Sequence, residues 1–315
     1  MTQNRKSLAH MNGGLVLTDG GMETTLIFHK GLDLPHFAAF PLIDSDEGRA
    51  ALTRYYERYL SLARESRLGF ILDTPTWRAN PDWSSRLGYD LAALRRVNVD
   101  AVRFVQDLRA EWSSAVSPCV INGVIGPRGD GYVAGTMDPV EAEDYHAFQI
   151  KALADAGVDM VSAMTMNAIG EATGIARAAK AVGLPHVISF TLETDGHLAG
   201  GASLRQAIEA VDGATGGSPA YYMINCAHPL HIEGAFGQGE AWTARLGGLR
   251  ANASTLSHAE LDEAETLDEG DPADLGRLYQ ALQASHPGLR VVGGCCGTDH
   301  RHVEAIRDAC LHAVT

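Results

Sequence analysis

The 315-residue sequence predicts an α/β fold, a single-domain (β/α)8 barrel of the TIM type. Three observations predict it. Eight short, apolar, β-rich runs recur along the chain, and stretches with helical spacing separate most of them. The GxGxxG turn of an open dinucleotide-binding sheet is missing after the first run, where the chain reads TDGGMET.

The first run is Gly14–Thr18 (GLVLT). A helix is expected over Ser45–Arg67, where Leu52, Tyr55, Tyr56, Tyr59 and Leu60 fall three and four apart. The second run, Gly69–Thr74 (GFILDT), precedes helical spacing over Leu91–Trp112. The third, Val120–Ile125 (VINGVI), precedes Pro139–Ala156, and the fourth, Asp159–Met164 (DMVSAM), precedes Gly170–Val182. His186–Leu192 (HVISFTL) is the fifth, followed by a helix over Ser203–Val211. Tyr221–Cys226 (YYMINC), Arg245–Ala251 (RLGGLRA) and Arg290–Gly294 (RVVGG) complete the set, and Asp299–Val314 is the closing helix. Strands alternating with helices imply βαβ units and a parallel sheet, and eight units suffice to close it into a ring. Residues 1–12 read as an N-terminal tail and 13–315 as the barrel. The acidic segment 258–274 is expected as a solvated loop or helix face.

Composition excludes several classes of function. Hydrophobic residues make up 45% and charged residues 20%, as in an ordinary globular protein. A net charge of -14 argues against nucleic acid or an anionic membrane surface as partner, since both would be repelled. No apolar run approaches the roughly 18–20 residues of a membrane span, and MTQNRKSLAHMNGG has no signal-peptide core, so a cytoplasmic location is expected. Five cysteines in a chain of this length do not make a disulfide framework.

In a barrel of this kind, chemistry gathers where strands end and βα loops begin. Asp19, Thr74, Trp77, Glu193, Asn225, Cys226, Asn252, Cys295 and Cys296 all fall at such ends. Three of the five cysteines end the sixth and eighth strands, which are near neighbours around the ring, so their sulfurs can converge. Cys119 opens the third strand at its far end and Cys310 lies in the last helix, both as buried apolar residues. Three thiolates suit Zn²⁺ and leave one tetrahedral position for a substrate thiol, which would then be held as thiolate although a free thiol has a pKa near ~8.5. His228 or His300 could instead supply a fourth ligand and make a closed, structural site.

Four motifs together resemble the homocysteine S-methyltransferase family: TDGGMET (Thr18–Thr24), GVIGPRG (Gly123–Gly129), NCAHP (Asn225–Pro229) and GGCCGT (Gly293–Thr298). The resemblance spans about residues 12–310. It implies zinc on Cys226, Cys295 and Cys296 and transfer of a methyl group from an onium donor to L-homocysteine, giving methionine. The donor could be S-methylmethionine, S-adenosylmethionine or a betaine. It also implies substrate binding by Asp19, Gly20, Gly21 and Glu23 of the first motif, by Thr74 and Trp77 of DTPTW, and by Asn225. An aromatic face such as Trp77 attracts an onium cation by about 0.5–2 kcal/mol, and rim packing is the plain alternative. The fourth strand departs from the family pattern. Met164 stands where a glutamate usually binds the amino group of homocysteine, which points to Glu193 as substitute or to another small thiol or selenol as acceptor. A non-catalytic zinc- or thiol-binding barrel is the remaining alternative.

Overall fold

The computed structural model describes residues 8–236 and 240–312. Eight parallel strands close into a barrel in sequence order. They are β1 (Val16–Leu17), β2 (Gly69–Asp73), β3 (Cys119–Ile125), β4 (Met160–Met166), β5 (His186–Phe190), β6 (Tyr221–Asn225), β7 (Leu246–Ala251) and β8 (Val291–Gly294). The ring closes where Val16 and Leu17 pair with Val291 and Val292. Seven long helices wrap it: α1 (Asp46–Ser66), α2 (Leu91–Trp112), α3 (Pro139–Ala156), α4 (Ile169–Ala181), α5 (Leu204–Thr215), α6 (Pro272–Ser285) and α7 (His300–His312).

Most helices start on a side-chain cap. Ser45, Asp90, Asp138 and Asp271 each accept a backbone N–H of the first turn, and Ser203 with Gln206 forms a reciprocal capping box. One feature differs from the sequence expectation. Helix α6 was not legible in the acidic stretch that precedes it, although Leu275, Tyr279 and Leu282 form its buried stripe. Between β6 and β7 the described residues hold only the four-residue helix Pro229–Ile232 and short 3-10 turns. Among the described residues, no helix is long and apolar enough to cross a membrane.

The barrel interior is layered. Its floor is apolar, built from Val16, Ile71, Val120, Met160, Val187, Tyr221, Met223 and Val291, with Leu8 and Met11 packed beneath. Leu8, His10 and Met11 thus pack against the underside of the barrel. Above the floor lies a hydrogen-bonded polar belt. Asn122 donates to Asp73 (2.7 Å), Ser162 donates to Asn122 (3.0 Å), and Arg250 pairs with both Asp73 and Asp19.

His10, fully buried beneath the floor, lies 3.1 Å from the Tyr221 hydroxyl. Burial lowers its pKa from 6.5 to about 4. The unfolded chain thus binds more protons than the folded one between these values, so stability is full above pH 6.5 and falls as the pH drops toward 4. The loss from this one residue should reach about 3 kcal/mol, at 1.36 kcal/mol per pKa unit. Urea titrations across that window should show the slope flattened in a His10→Gln variant. An unchanged slope would place the acid sensitivity elsewhere.

Candidate active site

Cys226 directly follows β6, and Cys295 and Cys296 directly follow β8. Their three sulfurs lie within 4.8 Å of one another at the carboxyl mouth of the barrel. Gly293 and Gly294 allow this approach, since a Cβ on either would overlap the Thr18 or Thr298 hydroxyl. Cys226 adopts a left-handed backbone (φ 55°), and so does Thr165 after Met164 (φ 62°). Such conformations cost non-glycine residues about 1–3 kcal/mol each. Asn225 braces both: it accepts from Thr165 N–H (2.8 Å) and Ser189 Oγ (2.7 Å) and donates to Thr165 Oγ1 (2.8 Å).

Cys226 and Cys295 are joined as a disulfide, with Cα atoms 5.4 Å apart, which departs from the expectation of three free thiols. The same convergence that surrounds one ion brings two sulfurs within bonding reach. Cys296 is not bonded, and burial pushes its thiol up to about 11, so at neutral pH it needs a cation to become a thiolate. Once reduced, the donor set is three sulfurs on one apex, which fits a soft or borderline metal. Neither candidate fourth ligand joins it. His228 caps the helix Pro229–Ile232, its Nδ1 accepting from Leu230 N–H, and His300 faces Asp299 and Arg58. Among the described residues, no fourth His, Cys, Asp or Glu joins the cluster.

The sulfurs open into a cavity of about 400 Å³. Asp19, Gly20, Gly21, Glu23, Thr74, Trp77, Asn225 and the three cysteines all line it, so the structure gathers nearly every residue singled out from the sequence. Several of these are already engaged. The Asp19 carboxylate accepts from Arg250 and from the Tyr55 hydroxyl (3.0 Å), and Gly21 N–H donates to Thr298 O (3.0 Å). Thr74 Oγ1 accepts from Val124 N–H (3.1 Å), and Trp77 donates to Met164 O (3.4 Å). One face of Trp77 is covered by the Arg78 guanidinium at 4.2 Å, which leaves only the other for a cation. Glu193 is the exception: it does not line the cavity but holds His258 (3.3 Å), whose Nε2 lies 2.6 Å from Cys226 O. Glu171 is likewise withdrawn, bonded to His146 and to Arg128 N–H. Met164 lines the cavity where the carboxylate was expected.

Asp19, Asp73 and Arg250 place two carboxylates around one guanidinium, a net negative charge in a dry site. Burial, with the like charge of Asp73 beside it, pushes Asp19 up to about 6 against the pull of Arg250. Burial also pushes Glu23 up to about 7, against a hydrogen bond from its own backbone N–H.

Sequence reading missed Arg250, Arg78, Tyr132 and His258. Arg250 left one signal, a lone arginine inside an apolar strand. The acidic segment also differs from a merely solvated loop. It forms the helix His258–Asp262, and Leu261, Ala264 and Leu267 turn inward to wall the cavity.

Comparison with known proteins follows this geometry. Solved structures of the homocysteine methyltransferase MmuM from Escherichia coli share the fold. The oxidised form is 20% identical, with a TM-score of 0.75, covering 98% of this chain and 99% of that one. The metallated form is 21% identical, with a TM-score of 0.70, covering 97% and 99%. No curated protein sequence gives a significant match. The sequence model for homocysteine S-methyltransferase matches residues 16–310, nearly the whole barrel, and the chain therefore belongs to the homocysteine S-methyltransferase family and is a methyltransferase.

Proposed function

We propose that this enzyme methylates L-homocysteine to methionine, using an onium compound as donor and zinc on Cys226, Cys295 and Cys296 in their reduced state. The observation that carries the reading is the convergence of three sulfurs, with no fourth ligand among the described residues, at the mouth of a barrel of this family. Zinc bound there would lower the pKa of an added thiol enough to keep it a thiolate at neutral pH.

The chain's own residues then supply positioning. Asn225 fixes the backbone that carries Cys226, Tyr132 lines the cavity with Cys296, and His258 holds the Cys226 carbonyl. Leu261, Ala264 and Leu267 wall the cavity and limit water. The acceptor sulfur attacks the donor methyl carbon in line. The new S–C bond forms as the bond to the onium sulfur or nitrogen breaks, and the electron pair leaves on a neutral thioether or amine. No proton is needed by the leaving group, so no general acid is required. Catalysis is nucleophile activation and orientation.

Met164 favours a second reading in which the acceptor is a different small thiol, because a thioether cannot pair with an ammonium group. A mass-spectrometric assay separates the two. Reduced, zinc-loaded protein is incubated with L-homocysteine and, in turn, S-methylmethionine, S-adenosylmethionine and glycine betaine. Methionine is expected with one donor. Its absence with all three, from folded protein containing zinc, would rule out homocysteine as acceptor.

A further inference from the structure

Two arginines line the cavity, and they differ in one respect. Arg250 is saturated by Asp19 and Asp73. Arg78 is 8% exposed yet forms no ion pair among the described residues. A guanidinium has five N–H donors. Only one Arg78 hydrogen bond is present, from Nη1 to Gly129 O at 3.1 Å, and the buried Nε has no acceptor. Burying a cation without a counter-charge is costly, so the arrangement calls for an anion.

The group is also held rigid. Its carbon lies 4.2 Å from the Trp77 ring centroid and 3.8 Å from that of Trp83, a clamp between two aromatic faces. Burial pulls its pKa down from the ordinary arginine value, while Asp130, Tyr132 and Glu23 pull it back and Arg86 opposes them. None of the three acidic groups contacts it as an ion pair. A planar, fixed fork with free donors is suited to take a carboxylate in two parallel hydrogen bonds.

We propose that Arg78, clamped between Trp77 and Trp83, is the carboxylate-binding group of the cavity, so that the site selects a substrate carrying a free carboxylate. The inference rests on the methyl-transfer reading for the identity of the ligands, though not for the anion site itself. Thiol acceptor and onium donor are both candidates, as each is an amino-acid-like zwitterion. Gly21 N–H, a backbone donor at the same mouth, is already engaged by Thr298 and offers no competing site.

Calorimetric binding to reduced protein tests this without any turnover. L-homocysteine is compared with its methyl ester, and S-methylmethionine and glycine betaine are compared with theirs. At least one acid should bind ten-fold or more tightly than its ester, and the pair that does so identifies the substrate Arg78 holds. An Arg78→Met variant should bind acid and ester alike, and Arg78→Lys should fall between. The wild-type comparison decides even where a variant folds poorly. Equal binding of every acid and ester, no binding of any acid, or full discrimination by Arg78→Met would each overturn the assignment. Arg78-dependent acid binding with no methionine formed from any donor would instead defeat the homocysteine reading and leave this one standing.

Discussion

A Cys226→Ser variant should fold normally, lose bound zinc and lose methionine formation by at least about a hundredfold. Even residues that only orient a metal ligand cost about 10–100-fold in affinity or activity, and Cys226 would be a ligand itself. A serine hydroxyl at neutral pH is a poor substitute for a thiolate on a borderline-soft ion. Wholesale unfolding is not expected, because the polar belt, the apolar floor and seven helices hold the barrel without the cluster. Cys119→Ser is the control. Cys119 opens β3 at the opposite end of the barrel, and its loss should leave zinc content unchanged. Metal content by mass spectrometry, circular dichroism and the methionine assay give the three readings. A Cys226→Ser protein that keeps both zinc and turnover would defeat the proposed ligand set.

Removing Arg250 should give the largest loss of stability of any single change in the barrel. Arg250→Met leaves Asp19 and Asp73, 2% and 5% exposed, without the cation between them. Breaking a buried ion pair from one side costs about 3–5 kcal/mol. Arg250→Lys should recover only part of this, since a point charge cannot reach two carboxylates as a fork does. The sign with pH is specific. Asp19, already raised by burial, would rise further without Arg250, so the folded variant would bind more protons than the unfolded chain. Its deficit should be greatest near pH 8 and shrink as the pH falls through 6. Adding Asp19→Asn and Asp73→Asn should restore much of the loss by removing the stranded charges. Denaturant unfolding at two pH values measures all of these. A deficit under 1 kcal/mol, or one that grows in acid, would show that the triad is not the source.

The architecture was legible because each strand is a short apolar run bounded by turn residues, and each long helix but α6 repeats its apolar stripe at three and four. The sulfur cluster was legible because Cys226, Cys295 and Cys296 are fixed by strand ends alone. The Asp19–Arg250–Asp73 triad was not, because its members follow or end strands one, seven and two and meet only when the ring closes. The Arg78 clamp needs Trp83, which belongs to the short helix Pro81–Arg86 and carries no periodic signal. Glu193 shows the limit of strand position. It sits at the expected strand end, yet it engages His258 instead of lining the cavity itself. Strand position predicts where a residue starts, while side-chain direction depends on neighbours contributed by other loops.

The cavity draws its reactive sulfurs and its walls from different parts of the chain. The sulfurs directly follow the strands β6 and β8, whereas Trp77, Arg78, Tyr132 and residues 261–268 come from loops after β2, β3 and β7. Barrel assembly therefore specifies the thiol centre, and loop sequence specifies what may approach it. A library of variants confined to those three loops would sample new methyl donors and acceptors on an unchanged reaction centre. Met164 lies outside them, on a strand that Asn225 ties to the cysteine, which makes it the less tolerant place to retune selectivity.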